Sequence, residues 1–117
     1  MKVLVVDDIQ IARSNIKRML ARYDIDVVEA HDGITALKVY KEEHPNIICL
    51  DIDLPGEMDG MEILKQIKND DPNANVIMLS AMNSQYNFVE SFKAGASYFL
   101  VKPIDLYELV DVIKSIK

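Results

Sequence analysis

A chain of 117 residues, 50% apolar and 27% charged, can bury one core but not a second folding unit, so a single domain spanning residues 1–117 is expected to carry the function. The net charge of −6 argues against direct binding of DNA or RNA, whose phosphates are gripped mainly by clustered Lys and Arg. One cysteine, Cys49, allows neither an internal disulfide nor a cysteine-built metal site. With no signal peptide ahead of Lys2 and no apolar run long enough for a bilayer, a cytoplasmic protein without membrane insertion is expected.

Lys2-Val-Leu-Val-Val6 is a β-branched-rich run that suits a strand covered on both faces, and Asp7-Asp8 ends it. Ile9, Ala12, Ile16, Met19 and Leu20 then recur at helical spacing, leaving Arg13, Lys17 and Arg18 for the outer face. A second strand is expected near Asp26 to Ala30. After it come a turn at His31-Asp32-Gly33, with Asp32 as N-cap, and a helix through Ala36, Leu37 and Tyr40 that stops before Pro45. Strand three, Asn46 to Leu50, leads to Asp51, and a long loop with Pro55, Gly56 and Gly60 precedes a helix whose apolar stripe is Ile63, Leu64 and Ile67. Strand four is Asn75 to Leu79; helix four, about Ser84 to Lys93, is marked by Phe88, Val89 and Phe92 and ended by Gly95; strand five is Tyr98 to Val101. Asp105-Leu-Tyr-Glu108 resembles a capping box and opens a last helix with the stripe Leu106, Leu109, Val110, Ile113 and Ile116.

Regular alternation of strand and helix with short connections implies a parallel sheet, because each right-handed crossover lays its helix on one sheet face. Five such units cannot close an eight-stranded barrel. The expected fold is therefore α/β, an open doubly wound (βα)5 sandwich with helices on both faces and ligands at the carboxyl ends of the strands. Those ends carry Asp7 and Asp8, Asp51, Ser80 and Lys102. Taken singly, Asp7-Asp8 fits a helix N-cap, Ser80 a loop hydroxyl and Lys102 a solvated lysine. Together they supply what an incoming phosphoryl group needs. Asp51 is a carboxylate nucleophile, the clustered carboxylates repel unless a hard cation such as Mg²⁺ sits between them, and Ser80 and Lys102 offer donors to phosphoryl oxygens.

Four segments carry a family resemblance: Val5-Val6-Asp7-Asp8, Leu50-Asp51-Ile-Asp-Leu-Pro55, Leu79-Ser80-Ala81 and Gly95-Ala-Ser-Tyr-Phe-Leu-Val-Lys102-Pro103. Through them essentially the whole chain resembles the receiver domain of bacterial two-component response regulators, the CheY-like superfamily. That resemblance implies a flavodoxin-like strand order, 2-1-3-4-5. It implies a phosphorylation-dependent signalling switch in which Asp51 accepts a phosphoryl group from a sensor histidine kinase or a histidine phosphotransfer protein. Asp8 and Asp51 would bind Mg²⁺ through their side chains, Asp53 through its backbone carbonyl and Asp7 largely through water. Ser80 and Lys102 would hold phosphoryl oxygens, the Lys102-Pro103 peptide would be cis, and Phe99 matches the switch aromatic that turns inward when Ser80 is drawn to the phosphoryl group. Lacking a hydroxyl, Phe99 would switch on packing alone. The chain would be a phosphoacceptor and not an enzyme, its catalysis confined to self-phosphorylation and autodephosphorylation, and it would signal to a downstream protein through helix four, strand five and helix five.

The loop Pro55-Gly-Glu-Met-Asp59 is one residue longer than usual for the family, which leaves the start of helix three open. Asp53 adds an acidic side chain near the metal and the path of hydrolytic water, with an effect of either sign, or is a solvated loop carboxylate. Cys49 reads as a core filler, and His31 and His44 as residues of a surface turn and a helix C-terminus. Tyr86, Tyr98 and Tyr107 fall on the expected output surface, either as an aromatic interface or as partly buried packing.

Rival functions have weaker support. Asp51-Ile-Asp53 resembles the nucleophile motif of haloacid-dehalogenase-type phosphatases, but that motif belongs near the chain start, with an acidic pair later. A dinucleotide-binding module needs glycines where Asp7-Asp8 stands. A receiver-like interaction module that no longer takes phosphate would be expected to have lost some of the residue types present here. The identity of the kinase and target, and whether phosphorylation drives homodimerisation, stay open.

Overall fold

The five apolar runs become the strands β1 (Lys2–Val6), β2 (Asp26–Ala30), β3 (Ile47–Asp51), β4 (Asn75–Ser80) and β5 (Tyr98–Val101) of a computed structural model that describes residues 1–81 and 84–116. They pair in parallel in the order β2-β1-β3-β4-β5. Five helices alternate with them: α1 (Gln10–Ala21), α2 (Gly33–Glu43), α3 (Gly60–Asp70), α4 (Gln85–Lys93) and α5 (Leu106–Ile116). This is the CheY-like doubly wound topology.

Successive side chains of a strand point to opposite faces, so each central strand feeds two cores. Val3, Val5, Ile47, Cys49, Ile77 and Leu79 pack against Ile16, Met19 and Leu20 of α1 and Leu109, Val110 and Ile113 of α5. Leu4, Val6, Ile48, Leu50, Val76 and Met78 pack against Ala36 of α2 and Ile63, Leu64 and Ile67 of α3. Cover on both faces is why these strands read as continuous apolar runs. Cys49 is wholly buried, and burial pushes its thiol up to about 12, which makes it unreactive packing.

Side-chain caps fix where the helices begin. Asp32 accepts from the Thr35 amide at 2.8 Å, Asp59 from Glu62 at 3.0 Å, Ser84 from Asn87 at 3.2 Å, and Asp105 from Tyr107 and Glu108 at 2.9 and 3.2 Å. His44 closes α2 in the left-handed region, with φ 49°.

Two details differ from the sequence pattern, each for a physical reason. Strands β3 and β4 run one residue further than their apolar runs, because ladder pairing extends to Asp51 opposite Leu79 and to Ser80 opposite Val101. Ile9, expected on the buried stripe, precedes α1 and is 52% exposed: the Asp7 side chain accepts the Ile9 amide at 2.9 Å and turns the chain before the helix starts. Helix α4 buries only Ser91, and its apolar marks Phe88, Val89 and Phe92 remain 50%, 39% and 40% exposed. Among the described residues no helix is long and apolar enough to cross a membrane.

Candidate functional site

The order of the sheet reverses between β1 and β3, and the crevice at such a reversal opens at the strands' carboxyl ends. Asp7 follows β1, Asp51 is the last residue of β3, and Ser80 is the last residue of β4; all three are buried. Asp8 is exposed beside them. Asp7, Asp8 and Asp51 each offer a carboxylate oxygen, and these oxygens lie within 4.8 Å of one another. Lys102, one residue past β5, reaches back so that its Nζ stands 3.0 Å from Asp7 Oδ2 and 2.9 Å from Asp51 Oδ2.

Burial raises Asp51 above the ordinary carboxylate range, although the Lys102 ammonium and the Asp53 amide, 2.9 Å from Oδ1, pull the other way. A carboxylate with raised proton affinity is the more nucleophilic one. Burial opposes the charge on Lys102 as well, but its hydrogen bonds to Asp51 and Asp7 outweigh this and leave it above the usual lysine value. Lys102 is therefore a permanent cation at neutral pH. Against three carboxylates it leaves two negative charges, which suits a divalent metal with hard oxygen ligands.

Two residues that serve this site were not evident from the sequence. Arg13, expected on the outer face of α1, turns inward: Nη1 donates to the Asp7 carbonyl at 2.6 Å and Nε to Glu29 at 3.0 Å, fixing the backbone that aims the acidic pair. Gly60, read as a loop residue, starts α3 directly over the end of β3 at Asp51. Its amide donates to the Ile52 carbonyl at 3.0 Å, and a Cβ there would overlap the Asp51 carbonyl oxygen and come within 2.6 Å of Ile52 Cα. Asp59-x-x-Glu62, a capping pattern, was the signal that could have placed this helix start. Gly60→Ala should destabilise the protein by roughly 1–3 kcal/mol by overpacking, measured by urea unfolding; an unchanged midpoint would contradict the contact.

Asp53 does not join the acidic trio. Its carboxylate is exposed and its Oδ2 lies 3.4 Å from the Ala81 amide. Phe99 is half-buried on β5, and its ring meets the edge of Phe88 with centroids 5.6 Å apart; Phe88 in turn lies 4.9 Å from Phe92. Tyr86, Tyr98 and Tyr107 are 73%, 37% and 62% exposed. The Lys102-Pro103 peptide is cis. A cleft of about 630 Å³ opens beside the site, lined in part by Asp8, Asp53, Asp59, Lys65, Tyr86 and Glu90.

A (βα)5 sheet with a buried acid cluster and a lysine at its carboxyl rim has the layout of an α/β phosphoacceptor, with carboxylates where a nucleotide binder would have a glycine-rich loop. The family model described as "Response regulator receiver domain" matches residues 3–114, and the chain belongs to that family. It is 44% identical over 115 residues to the chemotaxis protein CheY of Listeria monocytogenes, covering 97% of this chain and 96% of that protein. With the chemotaxis protein CheY of Bacillus subtilis it shares 40% identity over 113 residues, 96% of this chain and 93% of the relative. A solved CheX-CheY-BeF3-Mg²⁺ complex from Borrelia burgdorferi superposes with a TM-score of 0.93 at 31% identity, covering 99% of this chain and 88% of that one. The chain is thus a CheY-like phosphoacceptor signalling domain of the two-component type, and the phosphatase and dinucleotide readings fall away.

Proposed function

We propose that Asp51 takes its phosphoryl group from a phosphohistidine, on a sensor histidine kinase or a histidine phosphotransfer protein, and passes the signal to a downstream protein through the face made by α4, β5 and α5. The observation that carries this reading is the buried Asp51 carboxylate held 2.9 Å from Lys102 Nζ at the rim of the acidic trio. An Asp51 oxygen attacks phosphorus, the P–N bond breaks, and its electron pair stays on the donor imidazole. The Lys102 ammonium and the Ser80 hydroxyl hold phosphoryl oxygens as charge builds on them. Asp7, Asp8, Asp51 and the Asp53 carbonyl would hold Mg²⁺, whose chemistry when bound is to neutralise charge on the acceptor and the incoming group.

Drawing Ser80 toward the phosphoryl group frees space beside Phe99, and the ring contacts from Phe99 to Phe88, and from Phe88 on to Phe92, carry a rotation to exposed positions of α4. The half-exposed rings there, with Tyr98 and Tyr107, have the aromatic content of a protein-binding surface. The Borrelia relative, solved with CheX and BeF3, offers the parallel of a protein partner and of a phosphoryl mimic.

Beryllofluoride with Mg²⁺, followed by backbone NMR, tests this reading. Shifts are expected at the rim and along α4, β5 and α5, and rim shifts without any on that face would contradict the output assignment. Should the protein dimerise under the same conditions, the partner on that face is a second copy. Mg²⁺ alone should raise the thermal midpoint: at tenfold excess over its Kd it adds about 1.4 kcal/mol, roughly 5–10 °C for a domain of this size. No shift at millimolar Mg²⁺ would count against the metal site.

A further inference from the structure

Asp53 stands two residues beyond the acceptor, and its bonds form a bridge. Its amide donates to Asp51 Oδ1 at 2.9 Å, while its carboxylate Oδ2 accepts from the Ala81 amide at 3.4 Å. The end of β3 is thereby tied to the first residue beyond β4. Ala81 directly follows the buried Ser80, so its N–H sits on the same rim as the acceptor. A backbone N–H at that place is a ready donor to an anionic oxygen. In this structure the oxygen it meets belongs to Asp53.

Resting on the reading of Asp51 as acceptor, we propose that the Asp53 carboxylate is a built-in stand-in for a phosphoryl oxygen. It holds the Ala81 amide while Asp51 is free and must release it before a transferred group can use that donor. Asp53 is then a positioning residue that slows loading by competition. A neutral side chain unable to accept a hydrogen bond would leave the amide open. The backbone carbonyl of Asp53, which would face the metal, is untouched by side-chain substitution.

The test compares the full chain with Asp53→Asn and Asp53→Ala at saturating Mg²⁺. Asn keeps an oxygen acceptor of the same shape without the charge, whereas Ala removes both. Beryllofluoride should bind Asp53→Ala roughly three- to tenfold more tightly than the unsubstituted chain, with Asp53→Asn between them. Loading by acetyl phosphate should accelerate in the same order. In that step an Asp51 oxygen forms a bond to phosphorus, the bond from phosphorus to the acetyl oxygen breaks, and acetate leaves with the electron pair. In protein without metal or phosphoryl group, the Ala81 amide proton resonance should move in Asp53→Ala and stay near its original position in Asp53→Asn.

Equal affinities for the unsubstituted chain and Asp53→Ala would overturn the inference. So would an Asp53→Asn affinity equal to that of Asp53→Ala, since charge alone would then explain the effect, or an unmoved Ala81 resonance in Asp53→Ala. Failure of beryllofluoride to bind any of the three, with the Ala81 resonance moving as described, would instead overturn the reading of Asp51 as acceptor and with it the competition.

Discussion

Asp51→Asn should abolish covalent phosphorylation by an acyl phosphate or a phosphohistidine donor while leaving the fold intact. The amide has the shape of the carboxylate and can still accept from the Asp53 amide, so the end of β3 keeps its bond. What is lost is the nucleophilic oxygen, and neither Asp7 nor Asp8 replaces it, because Asp7 is held by Lys102 and the Ile9 amide and Asp8 lies outside the buried rim. Intact-mass measurement after donor treatment reads the outcome, and an undiminished phosphoryl adduct would sink the assignment. The same variant separates an electrostatic effect. Burial raises Asp51 above its ordinary value of 3.8, so its ionised form costs stability that is relieved as pH falls through the raised folded value. From that folded value down to about 3.8 the unsubstituted chain should gain stability relative to Asp51→Asn, and parallel unfolding curves across that window would contradict the shift.

The second large effect is expected at Lys102. Lys102→Ala removes the ammonium that Asp7 and Asp51 share, leaving two buried carboxylates facing each other. Breaking a buried ion pair from one side costs about 3–5 kcal/mol; with the Lys102 side chain 22% exposed, solvent screening brings the expected cost below that range, to roughly 2–3 kcal/mol. Two treatments should restore much of it. Mg²⁺ replaces the missing positive charge, so its thermal shift should exceed that of the unsubstituted protein. Mild acid should help too, because Lys102 holds the Asp51 proton affinity down and its removal lets that affinity climb, so stability grows as pH falls. In the unsubstituted chain the raised Lys102 contributes stability that is fully present below the ordinary lysine value and lost as pH rises through its folded value. A Lys102→Ala protein whose Mg²⁺ shift matches that of the unsubstituted chain would show that the ammonium and the metal do not serve the same charges.

The fold and the acidic rim were legible in the sequence because this architecture puts its chemistry at places that pattern can find. Apolar runs such as Lys2 to Val6 and Ile47 to Leu50 mark strands covered on both faces, and the polar residue that ends each run is the one at the rim. Other features depend on what approaches a residue in space. Helical spacing puts Arg13 on the outer face of α1, but the helix starts so close to the ends of β1 and β2 that its first turn faces Asp7 and Glu29. Gly60 shows its purpose only once α3 is laid over Asp51. The Ala81 amide has no side-chain signature at all. The apolar marks of α4 located the helix but not its cover, because periodicity reports that a face is apolar and not what covers it; here Phe88, Val89 and Phe92 stay half in solvent.

Lys102 meets Asp7 across 95 positions of sequence and Asp51 across 51, so the rim is closed by residues from near the two ends of the chain. A chain still being made, or one whose last strand has come loose, has Asp51 but lacks the cation that holds it. Completion of the acidic rim thus waits on completion of the fold: until the last strand docks, the charge that balances Asp7 and Asp51 is missing.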